Sequence, residues 1–144
     1  MSEMNAKKRW LRRYLEAVKA EKEIALEMEE LEGQYILPSK VIDGMPHGSG
    51  GDKDLSAFAA KYDELYSEVK AALEERIEIR REVRAAIESL EDETQKILML
   101  YRYIDGKTWE EIAYRMNYSF RRATQIHGNA LARLEIPKEG KHEA

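Results

Sequence analysis

Basic and polar side chains gather in one short segment of a chain that is otherwise mildly acidic. The 144 residues carry a net charge of −4, yet no Asp or Glu occurs from Ile112 to Leu134. Arginine can hydrogen-bond the edge of guanine, glutamine that of adenine, and threonine or phenylalanine can contact the thymine methyl group. The segment therefore predicts contacts with DNA bases, made by Phe120, Arg121, Arg122, Thr124 and Gln125.

Arginines elsewhere in the same acid-free run suit a different kind of contact. Arg115 and Arg133 lie outside the base-reading cluster and are better placed for phosphates, where they add affinity without sequence information. Residues 92–144 are the only third of the chain with more Lys and Arg than Asp and Glu, nine against eight. A basic patch on an acidic chain favours one small nucleic-acid-binding surface.

The elements that would position these side chains are two short helices joined by a turn. Thr108 can cap the first helix, and Glu111 can close a capping box with it. Asn117 stands at the turn, where a left-handed backbone is expected. Ser119 can cap a second helix over 119–134, the recognition helix. Small or apolar residues give the two helices buried faces: Ile112, Ala113 and Met116 in the first, and Ala123, Ile126, Ala130, Leu131 and Leu134 in the second.

The rest of the chain predicts an all-α protein in which a long antiparallel, coiled-coil-like hairpin precedes a compact helix-turn-helix head. Apolar residues follow helical spacing from about residue 6 to 32, where Gly33 is a plausible stop; they are Trp10, Tyr14, Val18, Ala25, Met28 and Leu31, with Ala17 and Ile24 in the same stripe. The same spacing runs again from about 54 to 90, through Leu55, Phe58, Tyr62, Leu65, Val69, Leu73, Ile77, Val83, Ile87 and Leu90. The glycine-rich stretch between them predicts a flexible loop over 44–53. Asp92 can cap the next helix, whose predicted inward residues are Leu98, Tyr101 and Ile104. We therefore expect an oligomerisation arm over 1–90, a head over 91–136 and a flexible tail over 137–144. A homodimer or higher homo-oligomer would form through residues 6–90.

Several functional classes are disfavoured by composition. The chain has no cysteine, no apolar run near the ~20 residues of a membrane span, and a charged N-terminus unlike a signal peptide. We therefore expect a cytoplasmic protein without a cofactor. No metal site is expected either, because His127 has no second histidine near it in sequence. No nucleophile elbow or phosphate loop occurs, so an enzyme is not expected. Gly128, inside the second helix, predicts close packing there.

The stretch LEDETQKILMLYRYIDGKTWEEIAYRMNYSFRRATQIHGNALARL resembles region four of bacterial sigma factors, which reads the promoter −35 element. The resemblance covers about residues 90–134. It implies that Phe120, Arg121, Thr124 and Gln125 fall at the family's base-contacting positions, with Arg122 beside them. A typical sigma recognition helix has a charged residue where Phe120 stands and a basic one where Thr124 stands. The sequence preference of the family therefore does not carry over.

The whole layout resembles small phage and prophage regulators near the ArpU and RinA type, which control late genes. In these proteins an N-terminal helix, a Gly-Met-Pro-like loop and a long charged helix precede the helix-turn-helix. The strings carrying this resemblance are Trp109-Glu110-Glu111-Ile112-Ala113 and His127-Gly128-x-Ala130-Leu131. It implies a sequence-specific transcriptional regulator that binds double-stranded DNA, and RNA polymerase is a further candidate partner.

Two other functions remain open at this point. Small terminase subunits also join a DNA-binding head to helical oligomerisation segments, and they act in DNA packaging. An adaptor that binds RNA polymerase or a sigma factor through the head, without touching bases, is the other alternative. The number of subunits and the response to salt distinguish these functions from the regulator.

Overall fold

The computed structural model describes residues 2–41 and 50–137, without the side chains of 35–41 and 50–54. Within these ranges the chain is all-helical and contains no strand, which confirms the predicted fold class. None of the described helices is long and apolar enough to cross a membrane. The five helices are α1 (Glu3–Val41), α2 (Gly50–Glu88), α3 (Glu93–Tyr103), α4 (Trp109–Met116) and α5 (Phe120–Arg133).

Both long helices extend further than the sequence pattern predicted. α1 continues through Gly33 and Pro38 to Val41, and α2 begins at Gly50 rather than near residue 54. Glycine weakens a helix by only about 1 kcal/mol, and a long amphipathic helix draws most of its stability from packing. Gly33 was therefore a wrong stop signal. In the predicted flexible loop 44–53, residues 44–49 lie outside the described residues, and residues 50–53 are helical. In the predicted flexible tail 137–144, residues 138–144 lie outside the described residues.

Residues Val18–Arg76 form one compact unit, built from parts of α1 and α2. Glu21 forms an ion pair with Arg76. Glu32 accepts a hydrogen bond from Tyr62, and this bond is the main reason that the pKa of Tyr62 is raised. From the first pair to the second, the residue number rises on α1, from Glu21 to Glu32, and falls on α2, from Arg76 to Tyr62. The two segments therefore run antiparallel here, as predicted.

The apolar stripe of α2 is narrower than the sequence suggested. Leu65 is buried, but Leu55 is 54% exposed. Successive helical residues turn by about 100°, so these two leucines differ by about 80° around the helix axis. Leu55 therefore lies beside the packed face rather than within it. Leu26 and Tyr66 are also more than half exposed in this unit.

The second compact unit combines Met1–Ala17 with Ile77–Ala144. The start of α1 packs into it, because Leu11 is completely buried and the Lys7 ammonium donates a 2.7 Å hydrogen bond to the carbonyl of Leu131. Arg13 also pairs with Glu82 of α2 at 2.7 Å. The expected head over 91–136 therefore has the first turns of α1 as part of its packing, and Leu11 was not among the predicted apolar positions. Ile77, expected in the apolar stripe, is 46% exposed.

α3 connects the long helices to the helix-turn-helix. Asp92 caps it by accepting a 3.0 Å hydrogen bond from the Gln95 backbone, as predicted. Its buried residues include Leu98, Met99 and Tyr103, whereas the predicted inward residues Tyr101 and Ile104 are only half-buried. The helix ends in a turn at Gly106, whose φ of +71° favours glycine.

Candidate nucleic-acid interface

The first helix of the motif is fixed at its N-terminus by a complete capping box. The Thr108 hydroxyl accepts a hydrogen bond from the Glu111 backbone at 3.1 Å, and the Glu111 carboxylate accepts one from the Thr108 backbone at 2.8 Å. That backbone hydrogen bond is the main cause of the lowered pKa of Glu111. Ile112 and Ala113 are buried beneath, while Met116 is half-buried. The predicted capping box is therefore confirmed.

The turn between α4 and α5 has the conformation that its residues favour. Asn117 adopts the left-handed conformation, with φ 63° and ψ 40°, and is the only described non-glycine residue with positive φ. Ser119 then caps α5 by accepting a 3.0 Å hydrogen bond from the Arg122 backbone. A turn of three residues, 117–119, joins α4 to α5, and a connection of this length is typical of helix-turn-helix motifs.

The N-termini of α4 and α5 differ in the charge of the third helical residue, which interacts with the helix dipole. α4 has Glu111 at its third residue, which suits the positive end of a helix dipole. α5 has Arg122 at the same position and Arg121 before it, with no acidic residue in the first turn. Cations at this end are unfavourable for the helix. Two arginines are therefore present where the stability of the helix alone would favour carboxylates.

α5 buries one side and exposes the other, as the sequence predicted. All five predicted inward residues are buried, Leu134 included as the C-terminal cap. Arg121, Gln125 and Asn129 recur at four-residue spacing on the opposite side, and all three are exposed. We call these three, together with Arg122, the reading face. Asn129 was missed in the sequence, although asparagine pairs with adenine as glutamine does.

The other predicted site residues are distributed around this face. Phe120 is 56% exposed. Thr124 is half-buried, and its hydroxyl donates a 3.0 Å hydrogen bond to the carbonyl of Arg121, so mainly its methyl group remains for contacts. Ser119 uses its hydroxyl as the helix cap. Arg115 and Arg133 are exposed near the ends of α4 and α5, which leaves their guanidinium groups accessible.

Two tyrosines near the turn between α4 and α5 are exposed. Tyr114 is 87% exposed on α4, and Tyr118 is 36% exposed in the turn. The Arg122 guanidinium lies over the Tyr118 ring, 5.9 Å from its centre, which restrains the arginine by a cation–π contact. Tyrosine hydroxyls are common donors to phosphate oxygens. The exposure of Tyr114 and Tyr118 was not predicted, because exposed tyrosines do not follow the periodic spacing by which buried residues are recognised in a sequence.

His127 has a structural position on the inner side of α5. It is 8% exposed, and its Nε2 lies 2.7 Å from the Tyr103 hydroxyl. The Trp109 ring meets it edge-on with 4.7 Å between centroids. Burial, then the charges of Lys8 and nearby arginines, lower the pKa of His127 to about 4. At neutral pH the imidazole is uncharged and packs as part of the core.

Gly128 does not have the close packing that the sequence predicted. No heavy atom outside the local helix backbone lies within 4 Å of the position that a Cβ would occupy. The expectation of a close helix–helix approach at this glycine is therefore wrong. Gly128 instead faces open space at the edge of a cavity.

Comparison with known proteins agrees with the geometry of the head. No curated protein matches the chain, and neither does any solved structure. A family model described as Sigma-70, region 4, matches residues 86–135, from the end of α2 to just after α5. Residues 86–135 are therefore similar to Sigma-70 region 4, which in sigma factors is a DNA-binding helix-turn-helix.

Proposed function

We propose that this protein is a sequence-specific transcriptional regulator that inserts the N-terminal half of α5 into the major groove of double-stranded DNA. The observation that carries the proposal is the reading face. It presents Arg121, Gln125 and Asn129 on one exposed side of a rigidly capped helix, and no acid interrupts it. These are the side chains that hydrogen-bond base edges.

The flanking residues fit a role in positioning the protein on the DNA backbone. Arg115 and Tyr114 are exposed on α4, and Arg133 is exposed in the last turn of α5. Contacts to phosphates fix register and orientation without carrying sequence information. Phe120 and the Thr124 methyl group are then available to thymine. The unfavourable placement of Arg121 and Arg122 at a helix N-terminus is accounted for by their use on DNA.

A second copy of the chain completes the proposal. One small head seldom supplies enough affinity by itself, and dimeric helix-turn-helix proteins bind two half-sites. Leu26, Leu55 and Tyr66 are each more than half exposed in Val18–Arg76, which supports association through the long helices. Sedimentation should then report a dimer. The proposal places the regulator in the cytoplasm of a phage-carrying bacterial host, assigns it no catalytic step, and leaves contact with RNA polymerase as a further property.

The test is fluorescence anisotropy with labelled duplex DNA at several salt concentrations. The Arg121→Ala/Gln125→Ala protein should bind its preferred site at least tenfold more weakly, because each good base contact contributes about 1–3 kcal/mol. Arg81→Ala/Arg84→Ala is the matched control, since it removes two arginines from the exposed side of α2 and should leave affinity nearly unchanged. Equal binding by the wild type and the α5 variant would refute the proposal.

The same samples distinguish the two alternative functions. A DNA-packaging subunit would form a ring of roughly eight or more copies, against the dimer expected of a regulator. A polymerase adaptor would bind RNA polymerase with little dependence on salt and would not bind DNA at all. DNA binding should instead weaken steeply with salt, because each neutralised phosphate contributes about −0.9 to the slope of log K against log salt.

A further inference from the structure

A cavity lies against one flank of α5, beside Thr124, Gly128 and Leu131, within the unit formed by Met1–Ala17 and Ile77–Ala144. Its volume of about 310 Å³ is at the small end of the range for ligand sites. We call it the basic cavity. Its walls come from α1, α3, α4 and α5, and the side chains that define its chemistry are Lys8, Arg12, Arg102, Tyr103, Trp109 and His127.

Three cations line the basic cavity, and none of its lining residues is acidic. Like charges around one partly enclosed volume repel each other, and this repulsion is stronger near protein than in bulk water. Within the described residues, neither Lys8 nor Arg12 forms an ion pair. The charges of Lys8, Arg102 and Arg12 also act together on His127, so their fields overlap inside the cavity. A bound anion would relieve this repulsion.

The remaining wall is flat and partly apolar. Trp109 and Tyr103 contribute rings, and the Arg102 guanidinium lies over the Trp109 ring, 4.7 Å from its centre. This arrangement holds Arg102 in place beside the cavity and suits a ligand with a planar or apolar part next to its charge. Inorganic phosphate would use the cations but not the rings.

Gly128 is the second independent observation. Glycine inside a helix is unfavourable relative to alanine, and no packing requires it here, because a Cβ at this position would meet nothing within 4 Å. Gly128 lines the cavity, so a side chain there would take up part of its volume. The glycine keeps the cavity open.

We infer that the basic cavity binds a small organic anion, with a carboxylate or phosphate held by Lys8, Arg12 and Arg102 and a flat apolar part against Trp109 and Tyr103. This inference does not depend on the proposed DNA-binding function, because ligand binding is measured without DNA. Three positive charges favour a ligand of one or two negative charges. A substituted benzoate fits within this volume and carries both the charge and the ring.

The experiment follows the fluorescence of Trp109 in the full chain carrying Trp10→Phe, during titration with salicylate. We expect a saturable change with a Kd on the order of millimolar or below, as for ligands of this size. Salicylamide, which is uncharged, tests the role of the carboxylate. Inorganic phosphate tests the role of the ring. Both should bind at least tenfold more weakly than salicylate.

Two variants and one control locate the binding. Lys8→Met/Arg12→Met should weaken salicylate at least tenfold, and Gly128→Leu should abolish binding by filling the cavity. Circular dichroism establishes that each variant is folded. Arg81→Met/Arg84→Met, on the exposed side of α2, should bind salicylate as the parent does. The inference would be overturned if the fluorescence change with salicylate did not saturate, or if inorganic phosphate bound as tightly as salicylate. It would also be overturned if the control variant lost as much salicylate affinity as Lys8→Met/Arg12→Met.

Discussion

Replacement of Arg122 by glutamate is expected to stabilise the fold and weaken DNA binding at once. Arg122 occupies the third position of α5, where Glu111 of α4 closes a capping box with Thr108. A glutamate at 122 would accept the Ser119 backbone hydrogen bond in the same way, while the Ser119 hydroxyl keeps its bond to the backbone of residue 122.

The stability change follows from three contributions. The new carboxylate and the loss of an unfavourable cation at the helix N-terminus together contribute about 1 kcal/mol. Loss of the contact between the Arg122 guanidinium and the Tyr118 ring, 5.9 Å apart, costs about 0.5 kcal/mol at an exposed site. The net stabilisation is about 0.5 kcal/mol, which corresponds to a rise in Tm of about 1–2 °C.

The effect on DNA binding has the opposite sign and is larger. Loss of an arginine contact costs about 1–3 kcal/mol, or roughly tenfold to hundredfold in Kd. The slope of log K against log salt should fall in magnitude by about one, because one cation is removed from the DNA-facing surface. Repulsion between the new carboxylate and the phosphates adds to the loss.

The assays are thermal unfolding by circular dichroism and fluorescence anisotropy with duplex DNA, on the same preparations. Arg122→Gln is the intermediate control: glutamine also forms a capping box but carries no charge, so its Kd should lie between those of the other two proteins. A fall in Tm for Arg122→Glu would refute the capping argument. Unchanged DNA affinity would refute the assignment of Arg122 to the DNA-facing side.

The remaining predictions concern the stability of the same unit. Gly128→Ala should stabilise it by about 1 kcal/mol, because the new Cβ has open space. Gly106→Ala should destabilise it by about 1 kcal/mol, because φ at this position is +71°. Denaturant unfolding in which Gly106→Ala is the more stable of the two proteins would contradict both predictions. His127 has a folded pKa of about 4, below its ordinary value of 6.5, so its contribution to stability is complete above pH 6.5 and is lost as pH falls toward 4. The loss is at most about 3 kcal/mol, and His127→Phe should flatten the dependence of unfolding free energy on pH between 4 and 6.5, whereas an unchanged slope would assign the dependence to other groups.

The helix-turn-helix was predictable because its signals are local. Thr108 and Glu111 are three residues apart, Asn117 marks a left-handed turn by its own preference, and the buried face of α5 follows a simple period. Each of these features depends on neighbouring residues alone, so a single sequence contains the information. The exposure of Arg121 and Gln125 then follows, because they occupy the side opposite the buried face.

The features that were not predictable depend on contacts between distant segments. Leu11 is buried within the second unit, and the bond from Lys7 to the carbonyl of Leu131 joins residues more than a hundred positions apart. The continuation of α1 past Gly33 has a similar origin, because packing along a long helix outweighs one unfavourable residue. The basic cavity could not be predicted for the same reason, because its cations come from different helices.

The central claim is that the reading face of α5 recognises DNA sequence. Selection of duplexes from a randomised pool by the purified full chain, in parallel with the Arg121→Ala/Gln125→Ala protein, tests it most directly. We predict that the wild type enriches a defined motif and that the variant, still folded, enriches none or loses the positions read by these two side chains. Enrichment of the same motif by both proteins, or of no motif by the wild type, would contradict the account.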